Sequence, residues 1–136
     1  MAIVYKFRNS LAPSLSQQYF RTIAKKIRFV ADPSYARNFL FVFEDDVLKG
    51  CLGFYTTQLA SLWVDESVRG LGCGTEMIKL LTMDILETYP QLSHVLLLLL
   101  EKETDEQQWC IDAGMRAVGT KTAGDGSVYT VYRKDR

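Results

Sequence analysis

The period of the hydrophobic positions changes several times along the chain, and each change marks an element. Ile3–Phe7 is short and rich in β-branched and aromatic residues, so it reads as a first strand. Tyr19, Ile23, Ile27 and Val30 then recur at helical spacing, which predicts a helix capped by Ser14 or Ser16 and reaching about Val30. Its Lys25, Lys26 and Arg28 read as a solvated face. "ADPSYARN" breaks the pattern and is expected to be a loop or a broken second helix. Phe39–Phe43 and Val47–Thr57 read as an antiparallel hairpin across Glu44-Asp45-Asp46. Gly50 and Gly53 within its second strand predict a bulge or a close approach of backbone. Leu59–Val64 is a further strand.

The second half alternates helix and strand. Met77, Ile78, Leu81 and Ile85 repeat every three to four residues, predicting a helix from Gly72 to about Glu87, with Pro90 beyond its end. Leu92–Leu100 is almost wholly apolar and is expected to be a strand buried on both faces. Thr104 and Gln107 read as a capping-box pair opening a short helix, with Gly114 at its C-terminal cap. Met115–Thr120 and Ser127–Arg133 are final strands around Ala123-Gly124-Asp125-Gly126. The order βα–ββ(β)–α–β–α–ββ predicts an α/β sandwich with a mixed sheet. Without repeats, linkers or low-complexity tracts, residues 1–136 are expected to form a single domain.

Composition narrows the function classes. A chain of 136 residues, 48% apolar and 24% charged, has the balance of an ordinary globular domain. Sixteen basic residues balance sixteen acidic ones, so no global charge favours nucleic acid or an anionic membrane, and neither is an expected partner. "MAIVYKFRNS" is too short and too charged for a secretory apolar region. The apolar run Val95–Leu100 falls far below the roughly 20 residues that span a bilayer. Cys51, Cys73 and Cys110 form no CxxC pair, which argues against a disulfide framework or a zinc site and suits a reducing cytoplasm. The one histidine, His94, leaves no His-rich metal site and argues against a serine triad.

The residues with chemistry to explain are 62–75, "LWVDESVRGLGCGT". A strand end leads through Arg69, Gly70, Gly72 and Gly74 into a helical pattern. Such a loop aims backbone N–H groups in one direction at the positive end of a helix, and absent Cβ atoms let an anion approach. Thr75 adds a hydroxyl and Arg69 a charge at the rim. A Walker loop needs Lys and Ser/Thr after its last glycine, but Gly74 is followed by Thr75-Glu76. A dinucleotide fingerprint needs a small residue where Thr75 stands, and belongs to a first βαβ unit rather than to mid-chain. Asp65 and Glu66 read as solvated or capping residues.

Arg69-Gly70-Leu71-Gly72-Cys73-Gly74 does match Q/R-x-x-G-x-G/A, and here the chain resembles the GNAT N-acetyltransferase superfamily at its pyrophosphate loop. "LWVDESVRG" is similar to that superfamily's strand end and turn, and "WCIDAGMRAVG" to its "FYEKLGFxxxG" helix end. The resemblance implies a mixed, mainly antiparallel central sheet flanked by helices on both faces. It implies acetyl-CoA as cosubstrate, with Leu62, Trp63 and Val64 along the pantetheine arm and a backbone N–H polarising the thioester carbonyl. Arg69, Gly70, Leu71, Gly72, Cys73, Gly74 and Thr75 would hold the pyrophosphate. The reaction implied is direct attack by an acceptor amine, small molecule or protein, without a covalent intermediate.

Two proton transfers remain. The superfamily protonates the leaving thiolate with the tyrosine of its "FY" pair, but this chain has Trp109-Cys110. Cys110 could share its proton, Tyr129 or Tyr132 could serve, or the thiolate could leave unaided while Cys110 packs. Glu101, ending "VLLLLLE", is the candidate base for the ammonium; an ordinary strand-end charge is the other reading. His94, at the far end of that strand, reads as structural. Replacement of the tyrosine also keeps open a sensor that binds acyl-CoA without turnover. The superfamily's acceptor-binding segments correspond to "IRFVADPSYARN" and "TKTAGDGS", neither with a readable motif. Phe54, Tyr55 or Trp63 could line an apolar site, or pack in the core. A last strand paired between subunits would make a homodimer.

Overall fold

The computed structural model describes residues 2–29 and 31–136. Its strands are β1 (Ile3–Phe7), β2 (Asn38–Glu44), β3 (Val47–Tyr55), β4 (Gln58–Val64), β5 (His94–Leu100), β6 (Arg116–Thr122) and β7 (Val128–Asp135). They form one sheet in the order β1-β2-β3-β4-β5-β7-β6. Every pairing is antiparallel except β4 with β5. Helix α1 (Pro13–Ala24) packs on one face of this sheet, while α2 (Cys73–Thr88) and α3 (Thr104–Asp112) pack on the other. The expected mixed sandwich, mainly antiparallel with helices on both faces, is what the chain forms.

Helix α1 differs from expectation at both ends. It begins at Pro13, whose fixed φ suits a first helical position, and neither Ser14 nor Ser16 caps it. It ends at Ala24, where Lys25 and Lys26 turn back onto Thr22 and Ile23. Val30 lies outside the described residues. The packed face is Ser16, Tyr19, Phe20 and Ile23, seated on the aromatic ladder Phe39, Phe41 and Phe43 of β2. "ADPSYARN" holds only a short 3-10 turn, Pro33–Tyr35.

The hairpin β2–β3 turns through Asp45 and Asp46, both at positive φ, as a two-residue hairpin requires. Gly50 and Gly53 fulfil both expectations. A Cβ at Gly50 would stand 2.6 Å from the Trp63 carbonyl oxygen, and one at Gly53 would stand 2.9 Å from the Phe39 ring. The β3–β4 register also slips between Cys51 and Gly53.

Helix α2 buries Met77, Ile78, Leu81 and Ile85 with Leu59, Val64, Val95, Leu97 and Leu99. The capping box of α3 does not form. Glu103, not Thr104, flanks the helix, and the Gln107 side chain reaches back to the carbonyls of Leu100 and Glu101. Gly114 does end it, at φ 88°, with Met115 N–H on the Cys110 carbonyl.

Strand β5 corrects a further expectation. Val95, Leu97 and Leu99 are buried under the helices, but Leu96, Leu98 and Leu100 on the other face are only half-buried. The core of α1 is built on β2 and β3, so its layer leaves these leucines partly uncovered.

Candidate active site

Strands β4 and β5 are neighbours for only two residue pairs, Gln58 with Leu96 and Leu59 with Leu97. Beyond Leu59 they part. The cause lies in β4, where Ser61 takes φ 61°, a left-handed conformation costly for a residue with a Cβ. Its carbonyl accepts the Cys51 thiol at 3.2 Å, and its buried hydroxyl lies 3.4 Å from the Tyr55 hydroxyl. This bulge re-aims the end of β4 and leaves residues 60–64 without a strand partner on the β5 side.

The end of β4 leads to the glycine loop. Asp65 accepts the Ser67 N–H and hydroxyl and lies 3.6 Å from Lys49, opening a short turn, Glu66–Val68. These bonds, chiefly from the Ser67 hydroxyl, hold the Asp65 carboxyl below its usual range. Gly70 and Gly72 adopt φ 84° and 80°, and a Cβ at either would meet open space. Gly72 is the residue from which α2 starts. Among the described residues, the N–H groups of Gly70, Gly72, Cys73, Gly74 and Thr75 find no backbone acceptor, which leaves donors to spare at a helix start.

The three glycines serve different ends. Gly74 is required by packing: its Cβ would fall 2.3 Å from the Trp109 ring, so α2 and α3 cross closely there. Cys73 points into the core and Leu71 is exposed. Arg69 is not a free charge at the rim. It donates to the Val64 carbonyl at 3.2 Å, pairs with Asp105 at 3.1 Å and Glu106 at 3.5 Å, and lies 5.3 Å from the Trp109 ring centre. Arg69 therefore ties the loop to α3. A cavity of about 570 Å³ lies against the loop, lined by Gly70, Gly72, Thr75, Gln108 and Trp109 among others.

On the opposite face the parted strands open a second cavity of about 420 Å³. Leu62, Leu98 and Leu100 line it, joined by Ile27 and Arg28 from beyond α1, Lys121 and Ala123 from the β6–β7 end, Tyr129, and Glu103. The two segments that the resemblance marked for acceptor contact thus meet at one cleft. Arg28, read as part of a solvated helix face, lines this cleft because α1 ends before it. Of the β4 residues marked for the pantetheine arm, Leu62 borders this cleft and Val64 the loop cavity, while the Trp63 side chain turns into the aromatic cluster. Phe54 is in the core and Tyr55, like Trp63, packs against the aromatic cluster, so none of the three aromatic candidates lines the cleft.

The candidates for proton transfer are redistributed. Glu101 is exposed in the turn after β5 and is absent from the cleft wall. Glu103 stands there instead, half-buried, its carboxylate accepting the Leu100 N–H at 2.9 Å. The turn is pinned by the Glu103 N–H on the Leu100 carbonyl and by Gln107, which accepts the Tyr132 hydroxyl at 2.8 Å. Cys110 is fully buried, and burial together with Glu103 and Glu106 pushes its thiol up to about 12. Tyr132 packs on that same core side, whereas Tyr129 faces the cleft. His94 lies at the far end of β5, its ring Nδ1 2.8 Å from the Ser93 hydroxyl and without another side-chain partner among the described residues. Sequence reasoning missed Glu103 because Glu101, Glu103, Asp105 and Glu106 fall in one run, and only the turn selects among them.

No protein-family model and no curated protein matches the sequence. Solved structures do. The aminoglycoside acetyltransferase AAC(6′)-Ib in complex with coenzyme A superposes with TM-score 0.73 at 13% identity, over 99% of this chain and 95% of that one. The same enzyme with coenzyme A and kanamycin superposes with TM-score 0.72. An N-acetyltransferase from Staphylococcus aureus Mu50 gives 0.72 at 11% identity, over 99% and 98%. A GNAT family acetyltransferase from Elizabethkingia anophelis with acetyl-CoA bound gives 0.67 at 10% identity, over 98% of each chain. The chain has the GNAT fold. No helix among the described residues is long and apolar enough to cross a membrane.

Proposed function

We propose that the protein is an acetyl-CoA-dependent N-acetyltransferase working by direct attack in a ternary complex. The observation that carries this reading is the parting of β4 from β5 beyond Leu59: the unpaired end of β4 runs from Leu62 in the wall of the leucine cleft to Val64 in the wall of the loop cavity. A long, thin cosubstrate with phosphates at one end and a thioester at the other fits such a passage. The free N–H groups of Gly70 and Gly72 to Thr75 would take the pyrophosphate, with Arg69 holding the loop in shape. The unpaired edge of residues 60–64 offers backbone to the arm and to the thioester oxygen, an oxyanion-type stabilisation. Acceptor and thioester meet in the cleft, where orientation supplies much of the acceleration. The acceptor nitrogen bonds to the acetyl carbon, the C–S bond breaks, and CoA leaves as thiolate.

One observation favours a second reading, an acyl-CoA sensor without turnover: the thiol at the usual tyrosine position is sealed in the core. Calorimetry with acetyl-CoA, paired with a thiol-release assay over an amine panel, separates the two. Binding with amine-dependent CoA release supports the transferase. Binding with no release for any amine supports the sensor, and no binding removes both.

A further inference from the structure

The chemistry of the acceptor is written in the cleft wall, given the transferase reading above. Leu100, Tyr129 and Lys121 sit directly opposite one another across β5, β7 and β6, so their side chains share one face. Leu98 lies two residues back on that face, forming an apolar floor with Leu100. Glu103 stands at the β5 end of this row and Lys121 at its β6 end. Two strand spacings, roughly 10 Å, separate Lys121 from Leu100, whose N–H holds the Glu103 carboxylate. Arg28 adds a second cation from the chain beyond α1. None of the three charges is in a salt bridge among the described residues. Glu103 is fixed in place by its bond to the Leu100 N–H, yet a carboxylate has further acceptor sites to offer.

We propose that this cleft takes a small primary amine with an apolar body and an acidic group at its far end. Its ammonium is held by Glu103 and its acid faces Arg28 and Lys121. Leu98, Leu100 and Tyr129 bury the body between them. Glu103 takes one proton from the ammonium, the freed nitrogen lone pair attacks the acetyl carbon, the C–S bond breaks, and the second proton the nitrogen sheds as the amide forms passes through solvent to the departing thiolate. A polycation such as the kanamycin bound by AAC(6′)-Ib meets two cations and a single carboxylate here, so it is disfavoured. The cleft of about 420 Å³ must also admit the thioester, which limits the acceptor to a short chain or single ring.

The test compares 8-aminooctanoate, octylamine and kanamycin as acceptors, with kcat/KM read by thiol release. The expected result is at least a tenfold preference for the amino acid over octylamine, with kanamycin poorest. Arg28→Glu with Lys121→Glu should remove or reverse that preference; both side chains are exposed, and a thermal melt confirms folding. Glu103→Gln should lower kcat at least tenfold for both monoamines. Equal use of octylamine and 8-aminooctanoate by the wild type, or kanamycin as the best substrate, overturns the proposal. Calorimetry of 8-aminooctanoate alone keeps it distinct from the transferase reading. Saturable binding lost in the double variant supports the cleft assignment even if no acetyl group is transferred, and no binding together with normal transfer to other amines sinks the cleft assignment alone.

Discussion

The glycine loop and the leucine cleft lie on opposite faces of one sheet and are built from different parts of the residue. The loop is backbone: N–H groups left over at a helix start, with Gly70 and Gly72 at φ values that suit glycine. The cleft is side chain: leucines from one face of β5, a tyrosine from β7, and charges from three separate segments. A backbone site is written in consecutive residues and admits few substitutions, so it can be read as a motif. A side-chain site is assembled from distant residues that each have an ordinary identity. Under the proposed function, one site thus suits a cosubstrate common to many proteins, while the other can vary freely with the acceptor.

Separating the two sites by mutation is the sharpest test of this contrast. Gly72→Glu puts a carboxylate at the mouth of the loop, in space where no atom lies within 4 Å of the new Cβ. Acetyl-CoA affinity by calorimetry should fall at least about a hundredfold, while unfolding free energy drops by only about 1–2 kcal/mol for the left-handed φ. An unchanged affinity would mean that the loop is no cofactor site. Gly74→Ala, two residues on, should behave the other way round, because its Cβ collides with Trp109. We expect a loss of about 1–3 kcal/mol in urea unfolding, diminished in a Trp109→Leu background.

Leu98→Asp probes the cleft alone. It should cut kcat/KM for the acceptor about tenfold and leave the dissociation constant of acetyl-CoA within about twofold. A matching loss of acetyl-CoA affinity would merge the two sites into one. Cys110→Ala belongs to neither site. It should retain at least about a tenth of the turnover and cost about 1 kcal/mol through a small core cavity; a loss beyond about a hundredfold would return the thiol to the chemistry.

The smallest effect concerns the turn that joins the sites. The bonds from Ser67 hold the Asp65 carboxyl below its unfolded value, so their stabilisation is present above the unfolded value and lost as pH falls through the folded one. Asp65→Asn should therefore lower Tm near neutrality and converge with the wild type only once the pH falls below the ordinary aspartate range. Parallel melting curves down to that range would show that the cap contributes nothing.

Much of the architecture was legible in the sequence because it rests on local patterns. The β2–β3 hairpin, the start of α2 at Gly72 and the end of α3 at Gly114 each follow from turn residues or period, and each forms where expected. Two of the misreadings share a cause. Leu92–Leu100 has the composition of a strand covered on both faces, yet composition cannot say where a neighbouring helix stops. Helix α1 ends at Ala24, and that leaves Leu98 and Leu100 as a floor rather than as core. The same early stop moved Arg28 from a helix face to a cleft wall.

By itself, then, the sequence determined what depends on backbone and short spacing: the order of elements, the glycine loop with its helix, and the kind of anion that loop could not be built for. The tertiary structure alone decided which carboxylate of the run after β5 faces the cleft, which of two tyrosines joins it, and that Cys110 is sealed away. Those choices turn on strand parity, on a bulge at Ser61 and on a turn pinned by Gln107 and Tyr132. Contacts between residues far apart in the chain select one side chain among chemically equal neighbours, and no local pattern carries that information.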